Sequence, residues 1–411
     1  VTDPVGFFAS VAASRRRCFW LDGGGARDWS GRRSIVGWLD EDDVSLTYDA
    51  GTRLVTRHAS GRAEVVGDDV FAALSAELAS GSPDASWFGY LGYACRPDLP
   101  AAVGSGLPDA VWMRPSQVRM FEHERPAVEV RGVPATSLGR ALPESYAEAF
   151  AEVQEQLHAG NTYEVNLTYR VETTSDTDPV TAYLRLRELN PAPYAGFLQH
   201  DLPGARGWLL SSSPERYALI TADRTLETKP IKGTTARGAT PEEDDRTRAH
   251  LASDPRFRAE NLMIVDLLRN DLSLVCEPGT VTVPVLMDVE SYETVHQLVS
   301  TVRGRLRDDV TTIDALRALF PAGSMTGAPK LRTMQVIEDV EDSPRGPYAG
   351  AFGWVSADGR ADLGVVIRSL MTAGDGRWLL GTGGGITVRS GVDDEYAESR
   401  WKADRLLGAL R

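Results

Sequence analysis

One lysine, a set of carboxylates and a run of glycines are the groups in this 411-residue chain best placed to do chemistry. Lys232 lies in Pro230-Ile231-Lys232-Gly233-Thr234, directly after an alternating run, residues 225–229, that reads as a strand. Proline cannot donate to a ladder and glycine bends freely, so this spacing puts Lys232 at a strand end or turn. A lysine held there in a partly desolvated cleft loses some preference for the charged form and can act as a nucleophile. Taken alone, the same pentapeptide is more ordinarily a solvated turn.

The carboxylates fall in two predicted helices. Glu260 opens residues 260–271, whose middle is apolar almost all round and predicts a deeply packed helix. A carboxylate there must be paired, metal-bound or protonated, unless it only offsets the dipole at a helix start. Glu395, Glu398 and Lys402 stand at i, i+3 and i+7 and share a helix face. That face makes surface salt bridges, or else joins Glu260 in offering hard oxygen ligands to one Mg²⁺. Residues 381–386, including Gly383, Gly384 and Gly385, follow a predicted strand. Their N–H groups could converge on an anion, although a tight turn explains them as well. The spacing is not that of a dinucleotide site. Residues 323–330 precede an amphipathic helix carrying Leu331, Met334, Ile337 and Val340, and Thr326 there either caps or contacts a ligand.

The elements that must position these groups are legible in outline. From Pro143, residues Tyr146, Phe150, Val153 and Leu157 share one helical face, and Gly160 suits the stop. Residues 163–170 alternate and predict a strand whose polar face carries Glu164, Asn166, Thr168 and Arg170. Residues 348–355, 363–371 and 378–382 predict a meander with turns at Asp358-Gly359 and Gly374-Asp375-Gly376. The first third reads mostly as strands joined by turns, and a Pro- and Gly-containing stretch from about 124 to 143 marks a boundary between regions 1–140 and 141–411. Strands and helices mix without regular βαβ alternation, which predicts an α+β fold.

Composition narrows the function. The chain is 42% hydrophobic and 25% charged with net charge −14, which disfavours undifferentiated nucleic-acid or anionic-membrane binding. An anionic metabolite would need local cations or a metal. Cys18, Cys95 and Cys276 show neither zinc spacing nor a disulfide framework, so a reducing cytoplasm is expected. No run reaches the length of a membrane span, and the start lacks a signal pattern. The first residue is Val, which fits a chain processed or cut from something longer.

Together these motifs resemble the chorismate-utilising enzymes, which include anthranilate, isochorismate, salicylate and aminodeoxychorismate synthases. The likeness runs from about Ala141 to the C-terminus. It takes in Tyr163-Glu164-Val165-Asn166-Leu167-Thr168, Ser213-Pro214-Glu215-Arg216, Arg345-Gly346-Pro347-Tyr348 and Ile367-Arg368 besides the segments above. The N-terminal Phe19-Trp20-Leu21-Asp22-Gly23 is similar to a segment of the family's tryptophan pocket, but Gly23 stands where serine is usual, and a plain strand and turn is expected.

The resemblance implies two large, mostly antiparallel sheets packed as a sandwich with helices outside, as in anthranilate synthase component I. It implies chorismate in a cleft, its ring carboxylate on Mg²⁺ held by Glu260 and Glu398 with Glu395 nearby. The second carboxylate would be held by Arg368, Lys402, Tyr348 and backbone N–H groups at Gly383, Gly384 and Gly385, with Thr326 close by. Lys232 would add at ring carbon 2 while Glu215 protonates the departing C4 hydroxyl and His296 contacts it. Ammonia would then give 4-amino-4-deoxychorismate, for para-aminobenzoate and folate or for a secondary metabolite. Anthranilate synthases carry alanine at the Lys232 position, and this is the nearest alternative. Isochorismate and salicylate synthases use a lysine base where Glu164 stands, whereas aminodeoxychorismate enzymes commonly have glutamine there. None of the three cysteines has the surroundings of a glutamine amidotransferase nucleophile. Ammonia is therefore expected from a separate amidotransferase subunit, a fused domain, or free ammonium.

Overall fold

The computed structural model describes residues 3–23, 33–123, 141–292 and 295–411. Among these residues the strands form one sheet of nine and one of twelve, paired antiparallel throughout. The expected α+β sandwich holds. The nine-stranded sheet runs in the order Gly327–Ala328, Glu164–Thr174, Arg377–Ile386, Ser369–Thr372, Gly207–Ser213, Tyr194–His200, Arg17–Asp22, Arg33–Trp38 and Gln117–Glu122. The twelve-stranded sheet begins at Ile231–Ala236, Val295–Arg305, Thr225–Lys229, Arg216–Ile220 and Ala361–Val365, and continues through Ala351–Ser356 and Ser86–Leu91 to N-terminal strands ending at Arg62–Gly67. Strands from both sides of residue 140 thus enter both sheets. The expected boundary falls mainly on residues 124–140, outside the described residues.

The main apolar core lies between the sheets. Phe19 from one stacks on Phe88 from the other with ring centroids 4.2 Å apart, and Leu198, Leu209 and Met371 meet Trp112, Leu226, Val302 and Phe352 in the same cluster. Alternation explains the arrangement: one set of side chains on each strand faces the opposite sheet, the other set faces helices or water. The helix Glu144–His158 buries Tyr146, Phe150, Val153 and Leu157 as its spacing predicts, and packs with Lys330–Val340 over Val165 and Leu167. Pro4–Ser14, Pro179–Leu189 and Val392–Leu407 cover the outer face of the nine-stranded sheet.

Two departures from expectation shape the site. The segment 363–371 is not one strand: Ala361–Val365 belongs to the larger sheet and Ser369–Thr372 to the smaller. The chain crosses between them at Val366, Ile367 and Arg368, and Arg368 has φ 49°, the left-handed region that non-glycine residues avoid. Its carbonyl is held by Ser212, from N at 3.1 Å and Oγ at 2.7 Å. Residues 381–386 do not follow a strand but complete one, Arg377–Ile386, paired along its length with Glu164–Thr174. On its other side that strand pairs Ser369–Thr372 at Met371↔Leu379. Beyond this pair, among the described residues, its glycine edge faces the cleft.

Candidate functional site

The cleft sits where the chain passes from one sheet to the other twice. Ser213 ends a strand of the smaller sheet and Arg216 begins one of the larger, so Pro214 and Glu215 span the corner. The second crossing brings Ile367 and Arg368 beside them, and Val365 N donates to the Glu215 carbonyl at 2.9 Å. Lys232 enters from the end of the larger sheet. Ile231 pairs Val299 but Thr234 pairs Gln297, so one extra residue bulges out of the strand. Gly233 takes φ 97° there, and the bulge aims Lys232 into the cleft.

Lys232 is 9% exposed and its Nζ donates to Glu164 Oε1, a carboxylate with a fully buried side chain. Burial works against the charge of this lysine as expected, but the Glu164 carboxylate outweighs it and raises the pKa, with Glu260 and Glu215 adding to the effect, so the resting amine keeps its charge rather than losing it. Glu164 Oε2 has no hydrogen-bond partner among the described residues. Gly385 makes room for the pair: a Cβ there would lie 2.3 Å from Glu164 Oε1 and 2.9 Å from Lys232 Nζ.

Glu215 is buried, accepts a hydrogen bond from Ser324 Oγ, and is pushed up to about 7 by burial, against the pull of Ser324, Lys232 and Arg368. A carboxyl group in that range can hold a proton to give away at neutral pH. Glu260 is likewise pushed up to about 7 by burial, with Glu164 and Glu395 adding to the rise against the pull of Lys232 and Arg256. It stands in the second turn of the helix Pro255–Ser273 rather than at its start, and that helix buries one face while Leu262 stays exposed.

The helix Val392–Leu407 presents Glu395, Glu398 and Lys402 to the same cleft. Lys402 Nζ bonds Glu398 at 2.9 Å and the Gly383 carbonyl at 3.0 Å, and it holds Glu398 below the usual carboxylate range. Glu395 is raised by burial, with Glu398 adding to the rise. These oxygens are the hard donors a small divalent cation takes, and carboxylates crowded enough to raise one another's pKa gain from such a cation. Among the described residues no three of them converge tightly enough to hold an ion alone. An arrangement with one or two carboxylates plus water or substrate fits that geometry.

Arg368 and Tyr348 complete the wall beside Gly383, Gly384 and Gly385. Burial lowers the Arg368 guanidinium to about 10, and Tyr348 is raised to about 12 by burial, its ring over Gly381 and 4.7 Å from Arg170.

Two predicted residues stay out of the cleft. His296 is fully buried with Nδ1 2.8 Å from Ser291 Oγ and Nε2 3.0 Å from Asp244 Oδ1, so both ring nitrogens are engaged elsewhere. Strand alternation turns its neighbour Gln297 into the cleft instead, with Oε1 unpartnered among the described residues. Thr326 does not line the cleft and does not cap Lys330–Val340, whose N-cap is Pro329; it ends the short turn Gly323–Met325, and its hydroxyl donates to the Gly323 carbonyl at 3.3 Å. Ser324, Gln297 and Arg256 were not singled out from sequence. Only Arg256 had a signal, lying one helical turn before Glu260.

A second and larger cavity, about 770 Å³, lies between the sheets and is lined in part by Leu21, Asp22, Gly23, Phe88 and Phe352. Asp22 there is bound by Arg187 at 2.6 Å. None of the predicted catalytic residues reaches this cavity.

Comparison with known proteins agrees with the geometry. Residues 138–408 match the family described as chorismate binding enzyme. Over its full length the chain is 39% identical to a protein of Streptomyces pristinaespiralis named aminodeoxychorismate synthase, and spans 64% of that protein. It is 43% identical to aminodeoxychorismate synthase component 1 of Escherichia coli over 65% of this chain and 58% of that one. The chain therefore spans less than two thirds of the curated relatives it matches. The crystal structure of anthranilate synthase component I from Streptococcus pneumoniae superposes with a TM-score of 0.74 at 24% identity, covering 94% of this chain and 93% of that one, which shows a shared fold. By the match across residues 138–408, the chain belongs to the chorismate-binding enzymes.

Proposed function

We propose that the chain converts chorismate and ammonia to 4-amino-4-deoxychorismate, with Lys232 as a transient covalent nucleophile. One observation carries the reading: an amine buried at a strand bulge among carboxylates, opposite a carboxyl group raised to about 7. The names of the Streptomyces and E. coli relatives support it.

In this reading the ring carboxylate of chorismate lies toward Glu260 and Glu398. Its second carboxylate meets Arg368, Lys402, Tyr348 and those N–H groups among Gly383, Gly384 and Gly385 that the pairing with Glu164–Thr174 leaves turned to the cleft. Mg²⁺ held by Glu260 and Glu398, beside Glu395, would supply the positive charge that a protein of net −14 otherwise lacks. Lys232 Nζ bonds to ring carbon 2 as the hydroxyl at carbon 4 departs. Glu215 gives that hydroxyl its proton, and the oxygen leaves as water. Ammonia then adds at carbon 4 and the bond from carbon 2 to Nζ breaks. Splitting one difficult displacement into two is what covalent catalysis contributes. His296 and Thr326 have no part in this scheme, because neither reaches the cleft.

The naming of the E. coli relative as component 1 supports an amidotransferase, separate or fused, as the ammonia source. Three buried, unpaired cysteines support a reducing cytoplasm, and among the described residues no helix is long and apolar enough to cross a membrane.

The test is to incubate the protein with chorismate, Mg²⁺ and ammonium and weigh the products. The expected product is an amino-substituted ring that keeps its three-carbon side chain, with no pyruvate released. Anthranilate and pyruvate from the unmodified protein would replace this reading with that of an anthranilate synthase.

A further inference from the structure

We propose that Glu164 is the proton acceptor, and later the proton donor, for Lys232, so that the nucleophile is armed and reset inside one buried pair. The inference rests on the reading of Lys232 given above.

Glu164 has a single hydrogen-bond donor among the described residues, and that donor is the reacting amine itself. Its side chain has no exposure to water. Neither partner can lose its charge alone. A neutral Lys232 beside a carboxylate would leave a buried, unpaired anion, which is costly; a neutral Glu164 beside an ammonium would leave an unpaired cation. Passing the proton across the existing contact neutralises both at once. Glu215 and Glu260 also act on Lys232, and Arg256, Arg368, Glu395, Glu398 and Lys402 line the same cleft. Glu215 is bound by Ser324 and serves the leaving oxygen, and neither it nor Glu260 contacts the amine as Glu164 does.

The protons then balance. Lys232 Nζ gives one proton to Glu164 Oε1, and the freed electron pair forms the bond to ring carbon 2. The ring electrons shift, the bond from carbon 4 to oxygen breaks, and the proton of Glu215 leaves with that oxygen as water. When ammonia adds at carbon 4, the electron pair of the breaking carbon–nitrogen bond returns to Nζ, which takes its proton back from Glu164. The ammonium formed at carbon 4 returns a proton to Glu215.

The experiment follows the chorismate adduct on Lys232 by rapid quenching and intact-protein mass, without ammonium, in wild type, Glu164→Gln and Glu164→Ala. At pH 7 we expect Glu164→Gln to form the adduct about tenfold more slowly or worse, within the range of a lost general base. The ratio of its rate to wild type should climb with pH, because its amine must lose a proton to solvent; taking the ratio cancels the titration of Glu215. Glu164→Ala should be slower by about 10²-fold, and formate, unlike chloride, should restore part of the rate. Should Glu164→Ala not fold, the near-isosteric glutamine variant decides. A glutamine variant with the wild-type rate and the wild-type pH dependence overturns the inference. Absence of any adduct in wild type would instead overturn the reading of Lys232 beneath it.

Discussion

Two buried glutamates meet the same strand, Glu164–Thr174, and end in opposite conditions. Glu341 accepts five hydrogen bonds, from Thr168 N and Oγ1, from Arg170, and twice from Arg345, at 2.6 to 3.0 Å. Burial alone would raise its pKa, but Arg345 and Arg170 outweigh it and hold the carboxylate below its usual range. Glu164, four residues before Thr168, has one donor and an oxygen with none among the described residues. A carboxylate ringed by fixed donors is a structural anion that stays charged through any event in the cleft. A carboxylate tied to one lysine can change only when that lysine does. Hydrogen-bond number, more than burial, separates the Glu341 knot from the Glu164 carboxylate in the cleft.

The comparison can be broken in order of effect. The largest is expected at Glu215→Gln, which keeps shape and removes the acid. Its turnover should fall by about 10²–10⁴-fold, measured as product formed per second, with substrate affinity little changed. The same variant tests the electrostatics. Glu215 has its pKa raised from 4.5 to about 7 in the fold, so the stability of the protonated acid is present below pH 4.5 and lost as pH rises through about 7. At pH 8 the glutamine variant should therefore be more stable than wild type by up to about 3 kcal/mol, and at pH 4.5 no more stable. Equal melting temperatures at pH 8 would mean that the carboxyl group is solvated.

Next comes the knot. Arg345→Ala leaves Glu341 short of two of its five bonds, and chemical denaturation should show a loss of about 3–5 kcal/mol. A loss under about 1 kcal/mol would remove the distinction between the two glutamates. The smallest effect is expected at His296→Asn. Turnover should stay within about threefold of wild type, because neither ring nitrogen faces the cleft, while stability falls by about 1–3 kcal/mol as Asp244 and Ser291 lose a partner. A hundredfold loss of turnover without loss of stability would return His296 to the chemistry.

Part of this cleft could be read from residue types and spacing, while Glu215, Tyr348 and Arg368 came only from the family resemblance. Lys232, Glu215, Glu260, Glu395, Glu398, Lys402, Tyr348, Arg368 and the three glycines all line it. The helical faces at Glu144–His158 and at Glu395, Glu398 and Lys402 held, since i, i+3 and i+7 fix which side chains travel together, but Leu262 and Leu331, read as packed, are exposed. Strand parity was not: His296 and Gln297 differ by one position, and only the pairing of Val295–Arg305 decides which of them points inward. The mostly apolar run 363–371, broken only at Arg368-Ser369, hid a crossing between sheets, because both halves are buried and period alone cannot show a change of partner. Thr326 lost its expected role to a local bond with Gly323. The Lys232–Glu164 contact spans 68 residues, and no local signal connects its ends.

If Lys232 is the nucleophile, its nitrogen becomes bonded to chorismate. Intact-protein mass after incubation with chorismate and Mg²⁺, with ammonium withheld, tests it most directly. The expected result is an added mass equal to chorismate less one water, mapped by peptide digestion to Lys232, absent from Lys232→Ala and discharged when ammonium is supplied. Full aminating turnover by Lys232→Ala, with no added mass on the wild-type chain, would contradict it.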